Sequence, residues 1–163
     1  MSEQVANERK FVGVDFDKCT GCRVCELVCA LEKEKVFDPT LSRIKVLRLH
    51  DIINMPVSCR LCEDAPCVRS CPRRALSQSE ETGVIIVDDD KCDVCGWCLE
   101  SCKYGAIFLN LERKTVMVCD LCDGSPRCVE WCPEGALSLM TQEEFDQKAR
   151  KATVSKLIPE AWR

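Results

Sequence analysis

The sequence predicts a small α+β protein made of short β-hairpins and short helices, arranged as two similar modules. Three observations support this class. The chain has 163 residues and 16 cysteines, and the cysteines fall into four tight groups of four. Short apolar segments that alternate like strands flank the polar turns between these groups. The first half of the chain also aligns with the second half, which indicates a tandem duplication.

The first half contains two predicted strands and one predicted helix. After a polar arm over 1–10, the alternating segment 11–16 predicts a strand. A helix is expected over 24–35, and Pro39 is expected to close it. Residues 43–50 alternate again and predict a second strand.

Two hairpins and a helix are predicted in the rest of the chain. The turn E-E-T-G separates A-L-S from V-I-I-V, and L-E-R-K separates G-A-I-F-L-N from T-V-M-V. A charged helix is expected over 142–152, before a tail that ends in L-I-P-E-A-W-R.

The duplication is clearest around the cysteines. V-D-F-D-K-C-T-G-C-R-V-C-E-L-V-C (14–29) aligns with V-D-D-D-K-C-D-V-C-G-W-C-L-E-S-C (87–102). C-R-L-C-E-D-A-P-C-V-R-S-C-P-R-R-A-L-S (59–77) aligns with C-D-L-C-D-G-S-P-R-C-V-E-W-C-P-E-G-A-L-S (119–138), with one insertion. Each half therefore holds one group with x2-x2-x3 spacing and one looser group that ends in Cys-Pro.

All 16 cysteines are candidate metal ligands. The first and third groups have x2-x2-x3 spacing, the second has x2-x4-x3 and the fourth has x2-x5-x3. In chain order the groups are Cys19, Cys22, Cys25 and Cys29; Cys59, Cys62, Cys67 and Cys71; Cys92, Cys95, Cys98 and Cys102; and Cys119, Cys122, Cys128 and Cys132.

Composition indicates that bonds to metal supply part of the stability. Apolar residues make up 46% of the chain, but only about 36% without the cysteines, which is thin for a self-sufficient core. We expect a cytoplasmic protein with no membrane span, because no secretory leader and no long apolar run is visible, and a reducing compartment disfavours eight disulfides. A net charge of −4, without basic patches, argues against nucleic acid as a partner.

The cysteine spacing predicts [4Fe–4S] clusters. A C-x2-C-x2-C loop wraps around one cube and supplies three thiolates, while its backbone N–H groups are expected to face the sulfides. In two-cluster ferredoxins the fourth cysteine binds the neighbouring cluster. Four zinc sites are the main alternative, because zinc ribbons share the C-x2-C motif, but zinc sites usually pair two such knuckles.

Strand pairing predicts which groups share clusters. A hairpin joins Cys71 to Cys92, so the second group should pair with the third, and the strand after the fourth group should pair with F-V-G-V-D-F before the first. Only this hairpin argument disfavours pairing the first group with the second and the third with the fourth. The predicted ligand sets are Cys59/Cys62/Cys67/Cys102, Cys92/Cys95/Cys98/Cys71, Cys19/Cys22/Cys25/Cys132 and Cys119/Cys122/Cys128/Cys29.

This pairing predicts the domain organisation. Residues 52–114 would form a continuous inner module, and residues 11–51 plus 115–140 a discontinuous outer module. Residues 141–163 would form a C-terminal helix and tail, a candidate docking segment for a partner. We expect Trp97 and Trp131, beside cluster ligands, to pack so that they keep water off the clusters.

The four groups, their Cys-Pro marks and their order resemble the four-cluster ferredoxin-like electron-transfer subunits of complex oxidoreductases. These are the small or β subunits of molybdenum and tungsten enzymes, formate dehydrogenases, hydrogenases and carbon monoxide dehydrogenase. The resemblance covers residues 11–140. It implies two fused bacterial-ferredoxin-like modules around four [4Fe–4S] clusters, with the same pairing of groups. Because the insertions between the groups are minimal, the chain looks closest to the compact small subunits of tungsten aldehyde oxidoreductases.

The sequence therefore predicts a non-catalytic electron-transfer subunit. It shows no dinucleotide-binding glycine fingerprint, P-loop or nucleophile–base pair. The resemblance implies that single electrons pass between a large catalytic subunit containing tungsten or molybdenum and a flavin subunit or soluble ferredoxin, in anaerobic metabolism. The alternatives are a free soluble polyferredoxin, a subunit of a hydrogenase or carbon monoxide dehydrogenase and, more weakly, a redox sensor or scaffold.

Overall fold

Eight short strands form four separate two-stranded antiparallel sheets in the computed structural model, which describes residues 9–50 and 53–157. The predicted N-terminal arm up to residue 8 and residues 158–163 of the predicted tail lie outside the described part. The strands are β1 (Lys10–Val14), β2 (Lys45–Leu49), β3 (Ile53–Val57), β4 (Leu76–Gln78), β5 (Ile85–Val87), β6 (Ile107–Asn110), β7 (Thr115–Val118) and β8 (Leu137–Thr141).

The described helices are mostly very short, and the first four share one role. Each of these four carries the third cysteine of one group, so the helix begins inside the cysteine motif. The fifth is longer than the predicted 142–152 and continues to Leu157. The helices are α1 (Val24–Glu34), α2 (Pro66–Arg69), α3 (Trp97–Ser101), α4 (Arg127–Glu130) and α5 (Gln142–Leu157).

Two of the strand pairings have the same form, as the duplication predicts. β1 pairs with β8, from Lys10 opposite Thr141 to Val14 opposite Leu137. β4 pairs with β5 in the hairpin between the second and third cysteine groups. In both cases a strand that follows a Cys-Pro group pairs with the strand before an x2-x2-x3 group. These strand pairings are confirmed, as are the β6–β7 hairpin and the predicted strand at β2.

One strand was not predicted. β3 contains Pro56, which lies opposite Val46 of β2. Proline indicates a strand break in most contexts because it lacks the N–H of the ladder. A sheet of two strands has only edge strands, where a proline is tolerated.

The end of α1 differs from its prediction. The helix ends at Glu34, and Lys35 adopts a left-handed conformation with φ 60°. The Lys35 N–H donates to the Leu31 carbonyl over 3.0 Å, as in a left-handed C-cap. Pro39 instead begins a short 3₁₀ turn. The helix is therefore closed by its own cap, four residues before the proline.

The apolar core surrounds the cysteine groups. Phe11, Ile44 and Leu61 are almost fully buried, and buried cysteines from all four groups contribute to the same cluster of residues. This arrangement leaves little apolar core that is independent of the cysteines.

Candidate iron–sulfur site

A left-handed residue occurs at the same position in all four cysteine groups. It lies two residues after the first cysteine, and φ is 71° at Gly21, 49° at Leu61, 57° at Val94 and 60° at Leu121. This conformation is easy for glycine but strained for leucine and for β-branched valine. Backbone N–H groups form anion-binding nests from such turns. The backbone N–H groups of Leu61 and Leu121 act against the raised pKa of Cys59 and Cys119, respectively.

The fourth cysteine of each group also accepts a backbone N–H bond. In the second, third and fourth groups the donor is an alanine four residues later, which follows a left-handed residue. The first group uses the Arg43 N–H, 3.2 Å from Cys29 Sγ. Hydrogen bonds to sulfur stabilise the thiolate and tune a bound cluster. The alanine bonds are Ala75 to Cys71 Sγ (3.3 Å), Ala106 to Cys102 Sγ (3.4 Å) and Ala136 to Cys132 Sγ (3.3 Å).

Three of the predicted ligand sets each line one cavity. Every such set combines three cysteines from one group with the fourth cysteine of another. The three sets are Cys59, Cys62, Cys67 and Cys102; Cys71, Cys92, Cys95 and Cys98; and Cys19, Cys22, Cys25 and Cys132.

The cysteines of the fourth predicted set act on one another electrostatically. Burial raises the pKa of Cys128, and the charges of Cys119 and Cys29 raise this pKa further. Burial likewise raises the pKa of Cys29, and the charge of Cys122 adds to the effect. Cys29, Cys119 and Cys128 are all buried in the same core cluster.

The buried thiols need a metal to become thiolates. Burial raises the pKa of Cys25, Cys59 and Cys119 to about 12. It raises the pKa of Cys98 to about 11. Without metal these groups would stay protonated at neutral pH, whereas a coordinating thiol is deprotonated outright. Their environment suits metal binding and not nucleophilic chemistry.

The donors at these cavities suit an iron–sulfur cluster. In three of the predicted sets the four thiols line the wall of one cavity. Four converging thiolates with N–H donors to sulfur are the ligands that a [4Fe–4S] cube requires.

The tryptophans do not cover the site as expected. Trp97 is 63% exposed and Trp131 is 61% exposed. Each directly precedes a cysteine whose side chain turns towards the interior, so the tryptophan side chain turns towards solvent. The prediction that they keep water off the clusters is wrong for this arrangement.

The four cysteine sets differ in their access to solvent. Cys22 and Cys95, the second cysteines of the first and third groups, are exposed. Cys62 and Cys122, the second cysteines of the other two groups, are only half-exposed. Cys59 and Cys119, the first cysteines of the second and fourth groups, are both buried in the same core cluster. The charge of Cys59 contributes to the raised pKa of Cys119.

Several contacts of residues beside the cysteines had no signal in the sequence. Glu26 is fully buried beside Cys25 and accepts bonds from the Val46 N–H and the Arg23 side chain, each at 2.7 Å. Arg60 lies against three aromatic rings from distant parts of the chain. These contacts depend on tertiary structure that spacing alone does not reveal.

The fold and the sulfur-lined cavities define an iron–sulfur protein of the ferredoxin-like class. Residues 50–142 match the family model described as 4Fe-4S dicluster domain. The chain belongs to this family, and its prediction as a ferredoxin-like iron–sulfur protein that binds [4Fe–4S] clusters is confirmed.

Curated relatives are named as a polyferredoxin-like subunit, an electron transport protein and a reductase chain. The "aliphatic sulfonate oxidoreductase, polyferredoxin-like subunit" of Pyrococcus furiosus is 44% identical, over 86% of this chain and 83% of the relative. The "putative electron transport protein YsaA" of Escherichia coli is 37% identical, over 85% and 94%. The "probable anaerobic dimethyl sulfoxide reductase chain YnfG" of the same species is 33% identical, over 83% and 75%. The chain is an electron-transfer component of this kind and not a catalytic subunit.

A solved structure of the BamBC active-site complex of benzoyl coenzyme A reductase contains a chain that is 29% identical. The match covers 90% of this chain and 89% of that chain, with a TM-score of 0.48, which is too low for a detailed comparison of folds. In the part of the chain that the structure describes, we find no helix with the length and apolarity needed to cross a bilayer.

Proposed function

We propose that the chain carries single electrons along a row of four [4Fe–4S] clusters, between the catalytic subunit of an oxidoreductase and a second redox protein. The exchange of fourth cysteines is the observation that carries this proposal. A cavity lined by Cys59, Cys62 and Cys67 takes its last sulfur from Cys102, and the cavity of Cys92, Cys95 and Cys98 takes its last from Cys71. Such reciprocal exchange clamps two clusters side by side.

The same exchange supports two modules. The hairpin of β4 and β5 supports a continuous inner module over 52–114. The pairing of β1 with β8 supports an outer module made of 11–51 and 115–140. In that outer module, Cys132 lines the cavity of the first group. Cys29 reciprocally interacts with Cys122 and Cys128 of the fourth group.

Two buried cysteines support an order for the row. Cys59 and Cys119 belong to the same core cluster, and the charge of Cys59 adds to the raised pKa of Cys119, so the set of the fourth group would lie beside the set of the second group. The sets that contain the exposed Cys22 and Cys95 would then lie at the two ends. Electrons would enter and leave there, because electron transfer needs a close approach between a partner and a cluster edge. The two inner sets are less accessible.

The proposed partners are inferred from the proteins that this chain resembles. The Pyrococcus furiosus relative is named as a subunit of an aliphatic sulfonate oxidoreductase, and this chain spans 83% of it. That supports a subunit over a free polyferredoxin. The resemblance to compact small subunits supports a tungsten or molybdenum enzyme at one end of the row, and a flavin subunit or soluble ferredoxin at the other, in the cytoplasm.

Co-purification under anaerobic conditions tests the proposal. The tagged full chain, expressed in its native host, should retain a large subunit that carries tungsten or molybdenum. A native mass no larger than one chain with its clusters, with electron exchange only to soluble carriers, would support the free polyferredoxin instead. A partner with nickel in place of tungsten or molybdenum would indicate a hydrogenase or carbon monoxide dehydrogenase subunit.

A further inference from the structure

The Arg60 guanidinium is held by three aromatic rings. Its central carbon lies 3.9 Å from the ring centre of Phe145, 4.4 Å from that of Phe11 and 5.5 Å from that of Tyr104. Phe11 belongs to β1 and Phe145 to α5, and the two rings meet edge to face at 5.8 Å. Tyr104 lies in the turn after Cys102. Three separate parts of the chain therefore fix the position of one positive charge.

This charge has no ion-pair partner among the residues that the structure describes. None of the salt bridges in 9–50 and 53–157 involves Arg60, and Asp146 acts on it only from beyond ion-pair distance. Its Nη1 atom is buried without a hydrogen-bond acceptor. Arg60 also lines the cavity that holds Cys59, Cys62 and Cys102. The cavity of one ligand set is therefore lined in part by a residue whose charge has no counter-ion among the described residues.

The duplicated half has the opposite charge at the equivalent position. Cys59-Arg60-Leu61-Cys62 aligns with Cys119-Asp120-Leu121-Cys122. Asp120 pairs with Lys33 at 2.6 Å and also accepts the Cys122 N–H at 3.1 Å. Its negative charge is thus partly compensated, whereas the Arg60 charge is not. The ligand sets that contain Cys59 and Cys119 therefore differ in the sign of the charge at matching positions.

We propose that Arg60 and Asp120 set the two central clusters at different potentials, with the cluster beside Arg60 the higher of the two. Reduction adds an electron to a site that is already negative. A nearby positive charge stabilises the reduced form, and a nearby negative charge destabilises it. Arg60 makes the larger contribution because it has no counter-ion. The central step of the row then favours movement of the electron from the outer module to the inner one.

This inference rests on the proposed ligand sets, so these are tested first in the same experiment. EPR-monitored potentiometric titration of the anaerobically purified full chain resolves the individual cluster signals. Cys62→Ser and Cys102→Ser should alter the same signal. If they alter different signals, the ligand sets are wrong. If they alter one signal, that signal identifies the cluster beside Arg60.

The decisive variant is Arg60→Gln. At a fixed potential near the midpoint, the reduced-to-oxidised ratio of that cluster should fall about tenfold, a shift of about 59 mV for one electron. Arg60→Lys keeps the positive charge and should shift the potential of this cluster less. Arg69→Gln is the matched control, because Arg69 is 70% exposed and paired with Asp64. It should leave all potentials unchanged.

An unchanged potential in Arg60→Gln, with full iron content, would overturn the inference. If Arg60→Gln loses iron, Asp120→Asn decides the question. It should raise the potential of the cluster that loses a ligand in Cys122→Ser. No upward shift there would equally overturn the proposed role of the pair.

Discussion

The hydroxyl oxygens of Ser70 and Ser101 lie 2.8 Å apart, where α2 meets α3. Each serine directly precedes the fourth cysteine of its group, and each hydroxyl oxygen lies 3.1 Å from the carbonyl oxygen of the third cysteine. Because each hydroxyl has one proton, one serine donates to its cysteine carbonyl while the other donates to the serine hydroxyl. The two serines occupy equivalent positions in the second and third cysteine groups. The matching residues of the outer module are Val28 and Trp131, which cannot form this bond.

We predict that the two serines stabilise the inner module cooperatively. Ser70→Ala and Ser101→Ala should each cost about 1 kcal/mol, because each leaves a part-buried hydroxyl with one partner fewer. Together they should cost less than the sum, since both remove the same bond. The measurement is the denaturant midpoint for loss of cluster absorbance. Strictly additive effects would show that the bond contributes nothing.

Arg74 occupies a position that favours glycine. It has φ 53°, and the equivalent residues of the next two groups are Gly105 and Gly135 with φ 60° and 56°. Arg74→Gly should therefore stabilise the protein by up to about 1 kcal/mol. Gly135→Ala is the matched control and should destabilise by a similar amount, because nothing but backbone strain opposes its Cβ. A loss of stability in Arg74→Gly would refute this account of the turn.

Removal of the metal should unfold the chain, because the core surrounds the cysteines. Any residual structure of the apo-protein should weaken as pH rises. Burial holds the pKa of Cys59 and Cys119 near 12, while an unfolded thiol titrates near about 8.5. The contribution of these buried thiols to the stability of the apo-protein is complete below pH about 8.5. It is lost as the pH rises from there towards the pKa of about 12 in the folded state.

Circular dichroism of chelator-treated and intact protein from neutral pH to pH about 10 measures this difference. The intact protein should not lose structure in this range by thiol ionisation, because its thiolates are bound. A chelated protein that stays fully folded at high pH would contradict both statements.

Ligand exchange can be tested within the inner module. Cys71→Ser should impair the cluster held by Cys92, Cys95 and Cys98, because these four residues line one cavity. The signal altered by Cys62→Ser should remain. Damage confined to that second signal would mean that Cys71 binds the cluster of its own group.

The strands beside the cysteine groups could be predicted from the sequence because they repeat in the two halves. The duplication places a strand after each Cys-Pro group, and β1–β8 and β4–β5 pair as that repeat predicts. It could not reveal β3, since Pro56 reads as a break until the sheet is known to have only two strands. Nor could the sequence predict the surroundings of Arg60, because its three aromatic neighbours are far apart in the chain. The exposure of Trp97 likewise depends on how α3 turns Cys98 inward.

The central claim is four cubane clusters in one chain, and metal analysis tests it most directly. Iron and acid-labile sulfide should be measured on protein purified without oxygen and normalised to quantitative amino-acid analysis. Sixteen cysteines in four sets predict about sixteen irons and about sixteen sulfides per chain. A content of about eight irons, or stoichiometric zinc with no sulfide, would contradict the claim.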